Sequence, residues 1–238
     1  MTSTDTTSDK PDEFLWPTGA LPPPPSVSAA IRHTCTANLR RKKPIEPLRR
    51  VVTSVMVSGG LFVTLLAIGW MRHPPEDAIV MAVLGALAWG LIQASVVFVG
   101  HGRPPGLRSA KALRWAAVLI VPAIFLVHLT LTTGNVLTFD QFLVAPRSVR
   151  STVVCGIHAL LFGAWASIAL FGLWRRTDPF HPRLTGALTG LAGGLVGAVA
   201  LDMTCTNDEA WHLWLGHGAT LIVFVLAGWV AGRRWIAP

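Results

Sequence analysis

Six long apolar runs, set apart by short polar stretches, fill the chain after residue 50: 51–71, 78–100, 115–134, 152–174, 184–201 and 213–232. None of them contains Asp, Glu, Lys or Arg. Each has about the 20 residues that a helix needs to cross a hydrocarbon core roughly 30 Å thick. In such a core a helix is the one single-segment structure that satisfies all its own backbone hydrogen bonds. The pattern predicts an all-α polytopic membrane protein, with six transmembrane helices in residues 51–238 and a short cytoplasmic N-terminal segment, residues 1–50, that is largely disordered or helical. That segment is polar and Pro-rich, too small to build its own core. It carries no apolar signal-peptide region, so it is expected to stay attached while the first span acts as the insertion signal.

Composition strengthens this picture. Of 238 residues, 52% are apolar and 13% charged, with ten Trp, no Tyr and 22 Gly; a soluble domain carries roughly 25% charge. Mean hydropathy is +0.52. The net charge of +8 is distributed unevenly: 17 of the 20 Lys and Arg lie in residues 1–50, 101–114, 175–183 and 233–238, and only Arg72, Arg147 and Arg150 fall in the other loops. Because Lys and Arg are retained on the cytoplasmic side of short loops, the bias predicts cytoplasmic N- and C-termini and outward loops near 72–77, 135–151 and 202–212. The basicity needs no direct nucleic-acid partner; the lipid bilayer accounts for it.

Within the fifth run, Gly186, Gly190 and Gly194 recur every four residues, and Gly193 and Gly197 form a second such pair. Small residues at this interval let a neighbouring backbone approach closely. The strip is expected to pack helices, and a surface on which two states slide stays open beside that reading. His128, deep in the third run, is expected to be a neutral imidazole bonded to a backbone or Thr group. Pairing with His158 or His217 around a haem would need equal depths that the map does not give.

The three cysteines are sorted by this topology. Cys35 lies inside, Cys155 one turn into the outer end of the fourth run, and Cys205 in the last outward loop. Cys155 and Cys205 are candidates for a disulfide, since the outer compartment permits oxidation. With His158, His212 and His217 they are also candidate ligands for zinc or another soft metal ion; packing of Cys155 as a small apolar residue is the remaining reading. In the cytoplasmic segment, a proline spacer at 21–25 precedes Ser26, a helix-capping residue. Val27, Ile31, Cys35 and Leu39 then line one helical face at intervals of four, followed by the basic run that starts at Arg40 and Arg41. So short a helix is marginal alone in water and calls for a partner groove or an anionic membrane surface.

No carboxylate, Lys, Ser–His–Asp arrangement or phosphate-cradling glycine motif lies in a plausible site, so no enzyme activity is expected. Taken together, the fifty-residue head, the stretch NLRRKKPIEPLRR with Pro44, Pro47, Leu48, Arg49 and Arg50, the six spans, and Cys155 and Cys205 fifty residues apart resemble the NrsF-type membrane anti-sigma factors. The leader at 1–25 departs from that pattern. The resemblance implies a protein of the bacterial inner membrane that holds an extracytoplasmic-function sigma factor through its cytoplasmic segment. It also implies release of that factor, as a stress response, when the cysteine pair senses an outward signal. The competing class is a small membrane transporter or metal-handling protein using the same Cys and His side chains; such a protein would place polar ligands near the midplane on broken helices. The topology is directly testable: a membrane-impermeant thiol reagent should label Cys205 in intact cells, after reduction if it is disulfide-bonded, and labelling seen only after lysis would overturn it.

Overall fold

The computed structural model describes residues 47–72, 79–103, 109–132, 149–207 and 209–237, with Ala29 alone before them. The partner-seeking stripe Val27, Ile31, Cys35 and Leu39, and Arg40 and Arg41 after it, lie outside the described residues. Among the described residues six helical spans are long and apolar enough to cross a membrane: α1 (Pro47–Arg72), α2 (Ile79–His101), α3 (Lys111–Thr132), α4 (Val149–Leu173), α5 (Pro182–Asp202) and, as one continuous span, a π-helical segment (His212–Gly218) running into α6 (Ala219–Trp235). The expected all-α class and six spans are therefore observed, with boundaries moved by a few residues. Pro182 begins α5, where its missing N–H costs nothing. The turn before it passes through Arg176 in the left-handed region at φ 55°.

The architecture is one central helix inside a ring of five. In α5, 94% of the apolar stretch is buried, against 22–44% in the others, and α5 packs on every other helix. Composition explains why α5 takes the centre: from Leu184 to Leu201 its residues are Gly, Ala, Thr, Val and Leu alone, and its glycines allow backbone contact on two sides. A Cβ on Gly186 or Gly190 would strike the backbone of α6 at Gly228, Gly232 and Phe224. One on Gly193 or Gly197 would strike α4 at Ser167, Ala159 and Gly163. The two small-residue series seen in the sequence thus face two different neighbours. The ring helices turn large apolar side chains such as Leu91, Leu131, Trp165 and Val230 outward, as expected of surfaces that meet lipid tails.

Helices α1, α3 and α5 run one way and α2, α4 and α6 the other. Pairs that join helices place Ser54, His101, Arg114, Trp174 and Asp178 at one end, here the arginine end, and Cys155, Asp202 and Cys205 at the other, the cysteine end. Packing at the α5–α6 seam makes a quantitative forecast. Gly190→Ala should destabilise the detergent-solubilised protein by about 1–3 kcal/mol, since the added methyl group has no room and forces the backbones apart. Gly60→Ala, where nothing lies within 4 Å, should leave the thermal midpoint unchanged or slightly raised. Equal midpoints for Gly190→Ala and wild type would contradict the seam.

Candidate functional site

Residues from three segments converge at the cysteine end. Cys155 stands near the start of α4; Cys205 lies just past α5, its N–H donating to the Leu201 carbonyl at 2.8 Å. His212 and His217 come from the π-helical segment. One ligand atom of each of these four side chains lies within 4.8 Å of all the others. Both cysteines are free thiols, partly exposed, whereas both imidazoles are fully buried.

Local structure explains the convergence. In an α-helix of 3.6 residues per turn, positions five apart lie about 140° past a full turn, so His212 and His217 would point to different sides. The π segment bonds each residue to the one five positions on, as in the Ala219 N–H donating to the Trp214 carbonyl. That register brings the two histidines side by side, their ring centroids 5.3 Å apart and their planes tilted by 59°. Gly216 lets the segment press onto α4: a Cβ there would sit 3.3 Å from the Thr152 carbonyl and 3.8 Å from the Cys155 Cβ. The loop that carries Cys205 is held by Asn207, whose Nδ2 donates to Ser151 Oγ at 3.3 Å and whose Oδ1 accepts from the Glu209 N–H at 3.0 Å.

His212 is oriented from both sides. Its Nε2 is 3.1 Å from Cys205 Sγ, and its Nδ1 is 3.5 Å from Thr152 Oγ1; with Nδ1 carrying the proton toward Thr152, the Nε2 lone pair faces the sulfur. No hydrogen bond of normal geometry reaches either ring nitrogen of His217, and the Ala198 carbonyl acts on the ring only more weakly. His158 is not part of the cluster. Three positions after Cys155 it is exposed on the outside of α4, and its ring N–H donates to the Val154 carbonyl at 2.8 Å.

His128 differs from expectation as well. Its Nε2 lies 3.0 Å from Asp202 Oδ2, so its partner is a carboxylate at the end of α5 and neither a backbone group nor a threonine. It also packs edge-on against Trp89, centroids 5.5 Å apart. Sequence reading missed this pair, although a lone His inside one apolar run and a lone Asp at the edge of another were a usable signal. It missed the π register and the roles of Thr152 and Gly216 entirely, because periodicity assumes α-helical spacing.

The arginine end is locked by a buried ion pair. Arg114 Nη2 donates to Asp178 Oδ2 at 3.2 Å and to the Thr185 hydroxyl, which in turn donates to Asp178. Asp178 Oδ1 accepts the N–H groups of Phe180 and His181, both at 3.0 Å, capping the entry to α5. The same loop is tied to the C-terminus: the Arg176 N–H donates to the Trp235 carbonyl at 2.9 Å and the Asp178 N–H to the Ile236 carbonyl at 3.1 Å. Trp174, just past α4, donates from Nε1 to Ser54 Oγ of α1 at 2.8 Å, and the Arg50 guanidinium lies 6.0 Å from the Trp174 ring centroid.

The cluster geometry can be read chemically. A short bifunctional thiol reagent added to the reduced, folded protein should bridge Cys155 and Cys205 within one chain, giving a single linked peptide pair by mass spectrometry. Independent single modification of the two thiols would show that they do not share a site.

Comparison with known proteins identifies the family. The family model described as NrsF, negative regulator of sigma F, matches residues 34–237. The anti-sigma-F factor NrsF of Caulobacter vibrioides (strain NA1000 / CB15N) is 25% identical over 210 residues, which cover 82% of this chain and 93% of that protein. No solved structure matches. A match that spans the whole bundle and the approach to it makes the conclusion plain: the chain belongs to the NrsF family, the negative regulators of sigma F.

Proposed function

We propose that this protein, an anti-sigma factor by family, sits in the bacterial inner membrane with both termini in the cytoplasm and holds an extracytoplasmic-function sigma factor through the segment before α1. An outward signal read at Cys155 and Cys205 then releases the sigma factor. The observation that carries this reading is the meeting of the two cysteines, fifty residues apart in sequence, in one cluster of four soft ligands.

The fold supports a route from that cluster to the partner segment. Cys155 lies near one end of α4 and Trp174 just past the other, and Gly163 of α4 contacts α5 at Gly197. Trp174 bonds to Ser54 and lies beside Arg50 at the base of α1, the helix into which the partner segment runs. A change in how α4 and the π segment pack at the cysteine end therefore bears on the start of α1 through packed, hydrogen-bonded elements and not through a loose tether. Magnitudes permit such a switch. Moving a population from 1:99 to 99:1 needs about 5.5 kcal/mol of differential binding; a disulfide supplies roughly 2–4 kcal/mol and a structural zinc site about 10–16 kcal/mol in total, of which only the difference between states counts.

On the partner side, burying Ile31 contributes about 1.5–3 kcal/mol, or roughly tenfold or more in affinity. In membranes containing the full chain, Ile31→Asp should release the sigma factor constitutively with insertion intact. Cys155→Ser and Cys205→Ser should each abolish release by the signal to the same extent, and the double variant should be no worse than either alone. Retention of the sigma factor by Ile31→Asp would overturn the assigned contact. Normal release in both cysteine variants would overturn the sensing role.

A further inference from the structure

Neither a disulfide nor a pair of thiols uses all of the cluster at the cysteine end. A Cys155–Cys205 bond would engage two sulfurs and use neither of the two fully buried imidazoles. His217 is the sharper problem, because neither of its ring nitrogens makes a normal hydrogen bond. A buried polar group in that condition is destabilising unless something is meant to satisfy it.

A metal ion satisfies all four groups at once. Zinc bonds of about 2.3 Å to sulfur and 2.0–2.1 Å to nitrogen place neighbouring ligand atoms of a tetrahedral site about 3.3–3.8 Å apart. The Cys205 Sγ to His212 Nε2 distance, 3.1 Å, is already near that spacing, and the widest separation in the cluster, within 4.8 Å, needs to close by only about 1 Å. His212 is held from behind at Nδ1 by Thr152, the kind of outer partner that fixes the tautomer and aims Nε2 at a metal. Charge fits too: two thiolates neutralise a divalent ion, so the filled site adds no net charge to an apolar bundle, where an uncompensated charge is costly. The four groups include no carboxylate, which disfavours the oxygen-preferring magnesium and calcium ions.

We infer that Cys155, Cys205, His212 and His217 form a four-coordinate site, two sulfurs and two nitrogens, for a borderline or soft divalent ion such as zinc or cadmium. The π-helical register of His212–Gly218 is the part of the fold that builds it. Binding converts both thiols to thiolates and releases two protons to solvent. The site stands on its own geometry; its regulatory meaning rests on the sensing role proposed above.

Cobalt(II) is a suitable probe, because its visible absorption reports coordination geometry and its near-ultraviolet charge-transfer band reports thiolate ligation. The full-length protein, reduced and in detergent, should bind one cobalt ion per chain with a tetrahedral, thiolate-bearing spectrum, and zinc or cadmium should displace it. Loss of an outer partner alone costs about 10–100-fold in metal affinity, so Cys155→Ser, Cys205→Ser, His212→Ala and His217→Ala should each weaken binding by more than about a hundredfold. His158→Ala should bind as wild type does. His217→Gln, close in size to histidine, repeats the test with the packing kept, and gel filtration and helical circular dichroism check each fold. An octahedral spectrum, no uptake by the wild type, or wild-type affinity in folded His217→Gln would overturn the four-ligand site. Release of the sigma factor, scored separately in membranes, keeps the two readings apart. Cysteine-dependent release without metal uptake overturns the site and leaves the sensing role, whereas metal uptake with normal signal-driven release in both cysteine variants overturns the sensing role and leaves the site.

Discussion

The fold depends on the contact of bare backbone with backbone along α5. Inside a bilayer, apolar side chains gain little by leaving lipid for one another, so helices associate through close packing and polar contacts. Gly186 and Gly190 let α5 touch Gly228 and Gly232 of α6, and Gly193 and Gly197 let it touch α4 on the other side. With α4 and α6 drawn in, their ends have fixed places: Cys155 and the π segment on one side of the bundle, Trp174 and Trp235 on the other. Shift the seam, and both ends lose their geometry together.

Polar groups inside the bundle make the arrangement unique. Gln93 donates to Ser58 at 2.5 Å and Ser58 to the Ser54 carbonyl at 2.6 Å, joining α2 to α1. Thr189 donates to the Thr185 carbonyl at 2.8 Å, which leaves its oxygen to accept from His101 Nε2 at 3.2 Å, and His101 stacks on Trp174 with centroids 3.9 Å apart. Each such group is costly in an apolar medium unless paired, so a slipped helix would forfeit several bonds at once. The buried Arg114–Asp178 pair follows the same rule; removing one partner leaves a stranded charge, a loss of about 3–5 kcal/mol. A bundle of this kind prefers a few discrete packings over continuous deformation.

The cysteine end differs in character from this locked interior. Its four clustered side chains are drawn from three segments, and the π turn that carries two of them is a geometry often found where function or strain requires it. The His128–Asp202 pair, 3.0 Å apart, fastens α3 to the end of α5 beside the cluster, so four elements meet there. A change in the bonding of the cluster therefore bears on several helices at once.

Sequence by itself determined the class, the number of spans and their approximate limits, because crossing a membrane demands about 20 apolar residues whatever the neighbours are. It also determined that residues 186–197 make close helix contacts, since four-residue spacing of glycine defines a face on any α-helix. The pairing of Cys155 with Cys205 was open to it only as residue type and loop position. Which histidines join them was decided by tertiary structure. His158 sits at helical spacing from Cys155 yet turns outward, and His217 enters because the chain leaves α-helical periodicity for seven residues where Gly216 lets it press against α4. Asp202 as partner of His128, and Thr185 as third member of the Arg114–Asp178 lock, were likewise decided by packing. Those contacts join helices far apart in sequence, and no local pattern records which face of one helix will meet which face of another.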